Sequence, residues 1–571
     1  MTMTRTMTFA ALGAALTTFL PAQTASKPTA NRFIPENSSF VVRIASPAKW
    51  RKQFGQTQVA KLGEAQSLAP FVGMIGQRLE MGMGMLRDSG LFNAELAEGM
   101  LKTWMGDIVI SVQIDWDGFI DAMDYGETPP MSFVVALTPD GSFDLGAVAK
   151  ELDSFIDKSA PKGELKDLIV GDLLMRRMDN GGGMPDVAMP MLIDGHIVMI
   201  GGTKLDKDAV KLIASDARFA VQDTAPLFVH AEIGRLMSTM MEADAEGAPF
   251  DPAEMMGLIG LSALENMTLS IKPDGQRVAG EMHIGMKKNN RGLFGMLAKG
   301  NQQPKLLGAI PPNSESFSVT AMDLNAVFAT VKDVWGLAKD FAPMTFDDAM
   351  GMFTDATKVD FKKDLFDNIG NEILMVQDPD AMKNIDPDEM EDNPMAMLAG
   401  TVYGIALNDG AKFNAAMDTM IRSRGMHVGR KTETYANAEV HRMKLLGMVD
   451  IEYSINNNLL LIGIGGGEST SRTLRDIIDT RTSGEATTPE VLTKRAGSFA
   501  PGWNSIGISP IGAMLEGAMA AIKASGQIDG EMEMAMGIVR GVVADMKRLG
   551  IGSMIQASYC DDNGFTSTFR W

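Results

Sequence analysis

Ile34-Pro35-Glu36-Asn37-Ser38-Ser39-Phe40-Val41-Val42 returns later in the chain as Ile310-Pro311-Pro312-Asn313-Ser314, followed by Phe317-Ser318-Val319. This pair decides the reading of the fold, because four further landmarks recur behind it in the same order. Trp104-Met105-Gly106-Asp107-Ile108-Val109-Ile110 matches Asn368-Ile369-Gly370-Asn371-Glu372-Ile373-Leu374-Met375. Val135-Ala136-Leu137-Thr138-Pro139-Asp140-Gly141 matches Ile405-Ala406-Leu407-Asn408-Asp409-Gly410. Asp194-Gly195-His196-Ile197 is set against Asn456-Asn457-Asn458-Leu459, and Leu227-Phe228-Val229-His230-Ala231 against Ser505-Ile506-Gly507-Ile508-Ser509. Each half ends on a dipeptide suited to a tight hairpin, Asp274-Gly275 and Asn563-Gly564.

Five ordered landmarks point to one module written twice, and the unit is too long for a solenoid repeat. The expected organisation is a leader over residues 1–25, a first repeat domain over 26–304 and a second over 305–571. At 571 residues, two such domains each bury a full core without disulfides or metals. Strands joined by short turns, with helices between strand groups, predict α+β halves. Each half is expected to be a mainly antiparallel sheet with helices packed on it. Strands are expected at 172–178, 190–200, 439–446, 449–455 and 459–464, and helices at 206–215 and 469–480.

Composition narrows the activity. Hydrophobic residues make up 45% and charged residues 22%, a globular balance. The formal net charge is −20, which opposes nucleic acid and anionic membrane surfaces. Arg5, the apolar stretch 9–20 and the small residues Ala22 and Ala25 form a secretory leader pattern. No later run has the length of a membrane span. The expected location is therefore extracytoplasmic, periplasmic or secreted. Cys560 is the sole cysteine, so an intramolecular disulfide is excluded, and its strand setting suits a buried apolar side chain.

Candidate chemistry is sparse. The 47 methionines, including Met81, Met83 and Met85 and then Met532, Met534 and Met536, read first as core filler. A Met-lined groove for an apolar ligand, or soft Cu(I) ligation, are the sharper alternatives. The turn Gly463-Ile464-Gly465-Gly466-Gly467-Glu468 opens a helix but breaks both phosphate-binding patterns, so it reads as a strand-to-helix junction. Acidic loops follow the same strand in each half. Asp115, Asp117, Asp386 and Asp388 are their weak calcium candidates, without the ligand spacing of an EF-hand. The five histidines form no ligand pair by spacing, although His230 and His283 are placed as neighbours on strands of the first half, without histidine counterparts in the second. Ser509 lies in a broken nucleophile-elbow pattern. No catalytic residue and no cofactor is assigned.

The opening 33–42 stretch and Trp104-Met105-Gly106-Asp107 resemble a family of large, internally duplicated exported proteins of unknown function that abound in planctomycete-type bacteria. That resemblance implies export and the strand starts just described, and it carries no activity. The leading expectation is a non-enzymatic binding or structural protein of the cell envelope, acting through broad sheet faces or the cleft between halves. Its partner is an unknown protein or an apolar ligand. The alternatives are a lipid carrier and an enzyme with a scattered site. An exposed apolar patch marks the first, a dry groove the second, and perturbed carboxylates in one pocket the third.

Overall fold

The computed structural model describes residues 30–65, 106–116, 130–138, 165–170, 173–178, 186–193, 195–203, 225–243 and 252–287 in the earlier part of the chain. Beyond these it describes 292–297, 304–312, 314–337, 344–379, 398–445, 449–465, 467–484, 503–513, 530–561 and 563–571, with a few single residues between them. The expected leader, the 206–215 helix, Asp117, Asp386, Asp388 and the Met81–Met85 run lie outside the described residues. The chain divides into two compact units. The first comprises 1–247 and 265–284, and the second 248–264 and 285–571.

The first unit contains β1 (Phe40–Ile44), β2 (Ile108–Ile114), β3 (Met131–Leu137), β4 (Leu165–Val170), β5 (Leu173–Met178), β6 (Asp186–Ile193), β7 (His196–Gly202), β8 (Leu227–Ala231), β9 (Leu264–Asp274) and β10 (Arg277–Met286). They lie in the order β10-β9-β8-β1-β2-β3-β7-β6-β5-β4, and every neighbouring pair from β9 to β4 is antiparallel. Helices α1 (Pro47–Phe54), α2 (Gln58–Gly63) and α3 (Ile233–Ala243) accompany it. Period-two alternation separates the faces, most clearly along β1 and β3. Val41, Val109, Val134, Ala136, Val198 and Ile200 on one face are fully buried. On the other face Val42, Ile44, Ile110, Val112, Phe133, Val135 and Leu137 are half-buried, and Phe40 is 37% exposed.

The second unit contains β11 (Phe317–Ala321), β12 (Ile369–Gln377), β13 (Thr401–Leu407), β14 (Lys431–Tyr435), β15 (Ala438–Leu445), β16 (Val449–Asn456), β17 (Leu459–Ile464), β18 (Ser505–Ser509), β19 (Met554–Asp561) and β20 (Gly564–Arg570). Their order is β20-β19-β18-β11-β12-β13-β17-β16-β15-β14, again wholly antiparallel. Strand for strand, this is the order of the first unit. The helices are α4 (Pro252–Ile259), α5 (Leu324–Leu337), α6 (Phe346–Thr357), α7 (Gly410–Ser423), α8 (Gly467–Ser483) and α9 (Gly530–Leu549).

Two cores form on this sheet. On one face Leu474, Ile477 and Ile478 of α8 pack against Val319, Leu374, Val402, Val440, Leu461 and Ile506. On the opposite face Phe413, Ala416 and Ile421 of α7 pack against Leu407, Met443, Tyr453 and Leu460. The architecture is α+β with antiparallel sheets, as the sequence predicts.

The recurring motifs have structural jobs. Ile34 and Ile310 are both fully buried. Each precedes a turn closed by its serine, where Ser38 N donates to Pro35 O at 3.3 Å and Ser314 N to Pro311 O at 3.1 Å. The motif glycines sit where strands nearly touch. A Cβ on Gly106 would lie 1.2 Å from Thr138 O, and one on Gly370 would lie 3.0 Å from Ala406 Cβ.

Registers correct several sequence assignments. Leu137 pairs with Ile108 and Ile197, and its positional equivalent is Ile405, which pairs with Ile373 and Leu460. Leu407 is therefore not the partner of Leu137, because β13 runs one pleat repeat further. The 190–200 segment is not one strand but the β6–β7 hairpin, in which Ile193 pairs with His196. Its counterpart pairs Asn456 with Leu459, so the second turn is Asn457-Asn458, with φ of 48° and 60°. Two residues in left-handed conformation suit the twist of a two-residue hairpin, and asparagine tolerates them. That moves the fourth landmark by one residue. Likewise Gly564 opens β20 opposite Asp561 and does not sit inside the final turn. Strands β4 and β14 escape the sequence pattern altogether.

Candidate functional site

The surface with most to offer a partner is a helix layer of the second unit. Helix α5 begins where Asp323 Oδ1 accepts from Ala326 N at 3.2 Å. Leu324, Val327, Phe328, Val331, Val334 and Trp335 recur at helical spacing and form one apolar stripe. Such a stripe is ordinarily buried along its centre. Here none of the helix's residues is buried, and Val331, at the middle of the stripe, is 48% exposed.

One edge of the stripe is engaged. Phe328 meets the rings of Phe346 and Phe366 at 5.5 and 4.9 Å, and Trp335 meets Phe346 at 5.9 Å. Trp335 Nε1 donates to Met344 O at 3.1 Å, which ties α5 to the start of α6. Helix α6 is set by its N-cap threonine. Thr345 Oγ1 accepts from Asp348 N at 3.1 Å and donates to Asp348 Oδ2 at 2.7 Å. It ends at Lys358 in left-handed conformation. Phe346 and Thr357 are buried, whereas Met352 on the outer side is 60% exposed. A one-turn helix after α7 leaves Val428 84% exposed. Lys332 pairs with Asp347 at 2.9 Å and Lys362 with Asp367 at 2.6 Å around this layer.

A second polar concentration lies under α8. Glu452, 2% exposed, accepts from Arg442 Nη2 at 3.1 Å and from Ser471 Oγ at 2.5 Å. Arg475 donates to Glu433, and this bond holds the Glu433 carboxyl below its ordinary value. Asp479 accepts from the Tyr435 hydroxyl, which raises the phenol's pKa. Burial raises Asp476. On the opposite face Arg430 donates to Asp418 and, at 3.0 Å, to Tyr453 Oη, while the His441 ring lies 4.8 Å from the Tyr453 ring. In both networks acids, bases and hydroxyls pair with one another, although Arg475 Nε is buried without a partner. They fasten helices to the sheet.

The sequence candidates fall out as follows. The glycine turn is a strand-to-helix junction with Gly465 and Gly467 at φ of 87° and 89°. The hydroxyls of the first turn of α8 are taken up within the unit. Thr470 Oγ1 accepts from Gly400 N at 3.0 Å, and Ser469 donates to Asp378, which also pairs with Arg472. Asp115, the described member of the calcium set, is an exposed residue directly after β2. Among the described residues no group of three metal-type side chains converges.

His230 and His283 are not on adjoining strands, since β9 lies between β8 and β10. His196 bonds Thr138 Oγ1 through Nδ1 at 3.0 Å and meets the Phe33 ring at 5.1 Å, a core role. Cys560 is 1% exposed and Met536 is 5% exposed, and both pack inside. Ser509 closes β18. The sequence reads the helix after Asp323, with Val327, Val331, Val334 and Leu337 at helical spacing, but amphipathic spacing announces a stripe and not whether a core covers it.

No family model matches the chain, and no curated protein matches it at a significant level. Solved structures similar to it include crystal forms IV and III of TP0453. Both are 7% identical, over 46% of this chain and 81% of theirs, with TM-scores of 0.21 and 0.20. Likeness at that level carries no argument about fold or function. No described helix is long and apolar enough to cross a membrane.

Proposed function

We propose that this chain is an exported, non-enzymatic binding protein of the cell envelope or periplasm, and that the helix layer of its second unit holds a protein partner. The observation that carries this is Val331. The centre of an apolar helix stripe stands 48% exposed beside a helix that exposes Met352 at 60%. Burying a Val or Met side chain is worth about 1.5–3 kcal/mol, so a partner that covers this layer gains substantially. The non-enzymatic part is supported by the pairing of Glu433, Arg442, Glu452 and Arg475, whose charges are engaged by one another. The shared strand order and the recurring Ile-Pro-x-Asn-Ser turn support an origin by duplication of one module.

The test is native mass spectrometry of the protein purified from its own envelope, beside a Val331→Asp/Met352→Asp variant. A protein partner retained by the wild type and lost by the variant supports the reading. A bare chain in both samples overturns it. A carrier of an apolar ligand is the second reading. It is favoured by the half-buried face of the first unit's sheet, where Val42, Ile110, Val135 and their neighbours stand in register. A stoichiometric lipid in the same spectra, unaffected by the variant, selects it.

A further inference from the structure

Resting on that binding role, we infer that the partner of the α5–α6 layer is a basic amphipathic segment, an apolar stripe flanked by lysine or arginine. The apolar requirement comes from Val331 and Met352. The charge requirement comes from what surrounds them. On a helix, neighbours three and four residues apart share a face. Met352 therefore shares the outer face of α6 with Asp348, one turn before it, and Asp355, one turn after it, both exposed.

Two of the nearby bases are already engaged, whereas the exposed Lys358, one turn after Asp355, has no ion-pair partner among the described residues. Lys332 pairs with Asp347, and Lys362 pairs with Asp367 while lying 5.5 Å from the Phe328 ring. The chain as a whole carries −20, so long-range attraction selects cations before contact is made. An acidic helix or an anionic bilayer would meet repulsion at both ranges. The outermost apolar side chain of α6 is a methionine, whose unbranched thioether adapts to differently shaped apolar faces. That favours a class of segments sharing this chemistry over a single rigid epitope.

The experiment uses the mature full chain and two synthetic amphipathic helices, one of leucine and lysine and one of leucine and glutamate. Affinity is read by fluorescence anisotropy at low and physiological salt. The leucine–lysine helix is expected to bind and the leucine–glutamate helix is not. Met352→Lys and Asp355→Lys each weaken binding about tenfold or more, while Met352→Leu retains it. Glu265→Lys, an exposed charge reversal on β9, is the control for non-specific attraction and leaves affinity within about twofold. Met352 and Asp355 are exposed, and unchanged far-ultraviolet circular dichroism confirms that the variants fold. Equal weakening by Glu265→Lys overturns the inference, as does a leucine–lysine helix that binds all variants alike or fails to bind. In those cases retention of the native partner by wild type and its loss from Val331→Asp/Met352→Asp still upholds the binding role. Failure of this inference and failure of that reading are therefore distinguishable.

Discussion

The Arg43 guanidinium lies 3.4 Å from the Asp107 carboxylate on the buried face of the first unit's sheet, with Arg43 only 3% exposed. The equivalent of Arg43 in the second unit's register is Val319, fully buried in an apolar cluster. Asp107 also accepts from Ser46 N at 2.9 Å. Breaking a buried pair costs more than never having had it. Asp107→Ala is expected to lower the unfolding free energy of the first unit by about 3–5 kcal/mol. Replacing both residues with apolar ones of similar volume is expected to cost much less. Urea melts of the single and double variants measure the difference, and equal losses would refute the argument.

Thr470 is fully buried, and its Cγ2 stands 2.3 Å from where a Cβ on Gly463 would be. Helix α8 thus approaches β17 as closely as a glycine permits. Gly463→Ala is expected to destabilise the second unit by about 1–3 kcal/mol through overpacking. Thr470→Ser removes the clashing methyl but keeps the oxygen that accepts from Gly400 N. In the double variant most of the loss should return, and a double-mutant cycle that shows simple additivity would exclude direct contact as the cause.

Burial lowers the pKa of His441 below 6.5, and Arg430 adds to the shift. His230 is lowered by burial as well. A histidine held neutral in the fold takes up its proton more readily when unfolded. Stability is therefore full above about pH 6.5 and falls as the solution is acidified through that value. The Glu433 carboxyl, lowered by Arg475, contributes in a separate window, present above 4.5 and lost below it. Denaturation midpoints between pH 7.5 and 5 are expected to fall for wild type and to fall less for His441→Gln. An unchanged slope in that variant would contradict the assignment.

Cys560, the chain's single thiol, is 1% exposed in β19. Its reaction with an aromatic disulfide reagent is expected to be slow in the native protein and to track opening of the second unit's sheet. Full labelling within mixing time under native conditions would place Cys560 at the surface instead.

The periodicity of 2 in Val41-Val42 and Phe317-Ser318-Val319 determined the strands, because alternation needs only local sequence to be visible. The Ile-Pro-x-Asn-Ser turns and the glycines at Gly106 and Gly370 were legible too, since tight turns and close strand approaches restrict residue type locally. Register was different. The sequence placed Leu137 against Leu407 and Asp194 against Asn456, and only pairing with Ile197 and Leu460 showed the true partners. A shift of one residue, as at Asn456, leaves an apolar run looking the same while moving every side chain to the other face, and a shift of two, as at Leu407, keeps the face and changes every neighbour.

The candidate surface depended on tertiary structure most of all. The α5 sequence specifies an amphipathic helix, but the same stripe serves a core or a partner equally well. Whether Val331 is covered is settled by how far Phe328 and Trp335 carry the helix onto Phe346, and that is a property of packing between elements, which the spacing within one helix does not show.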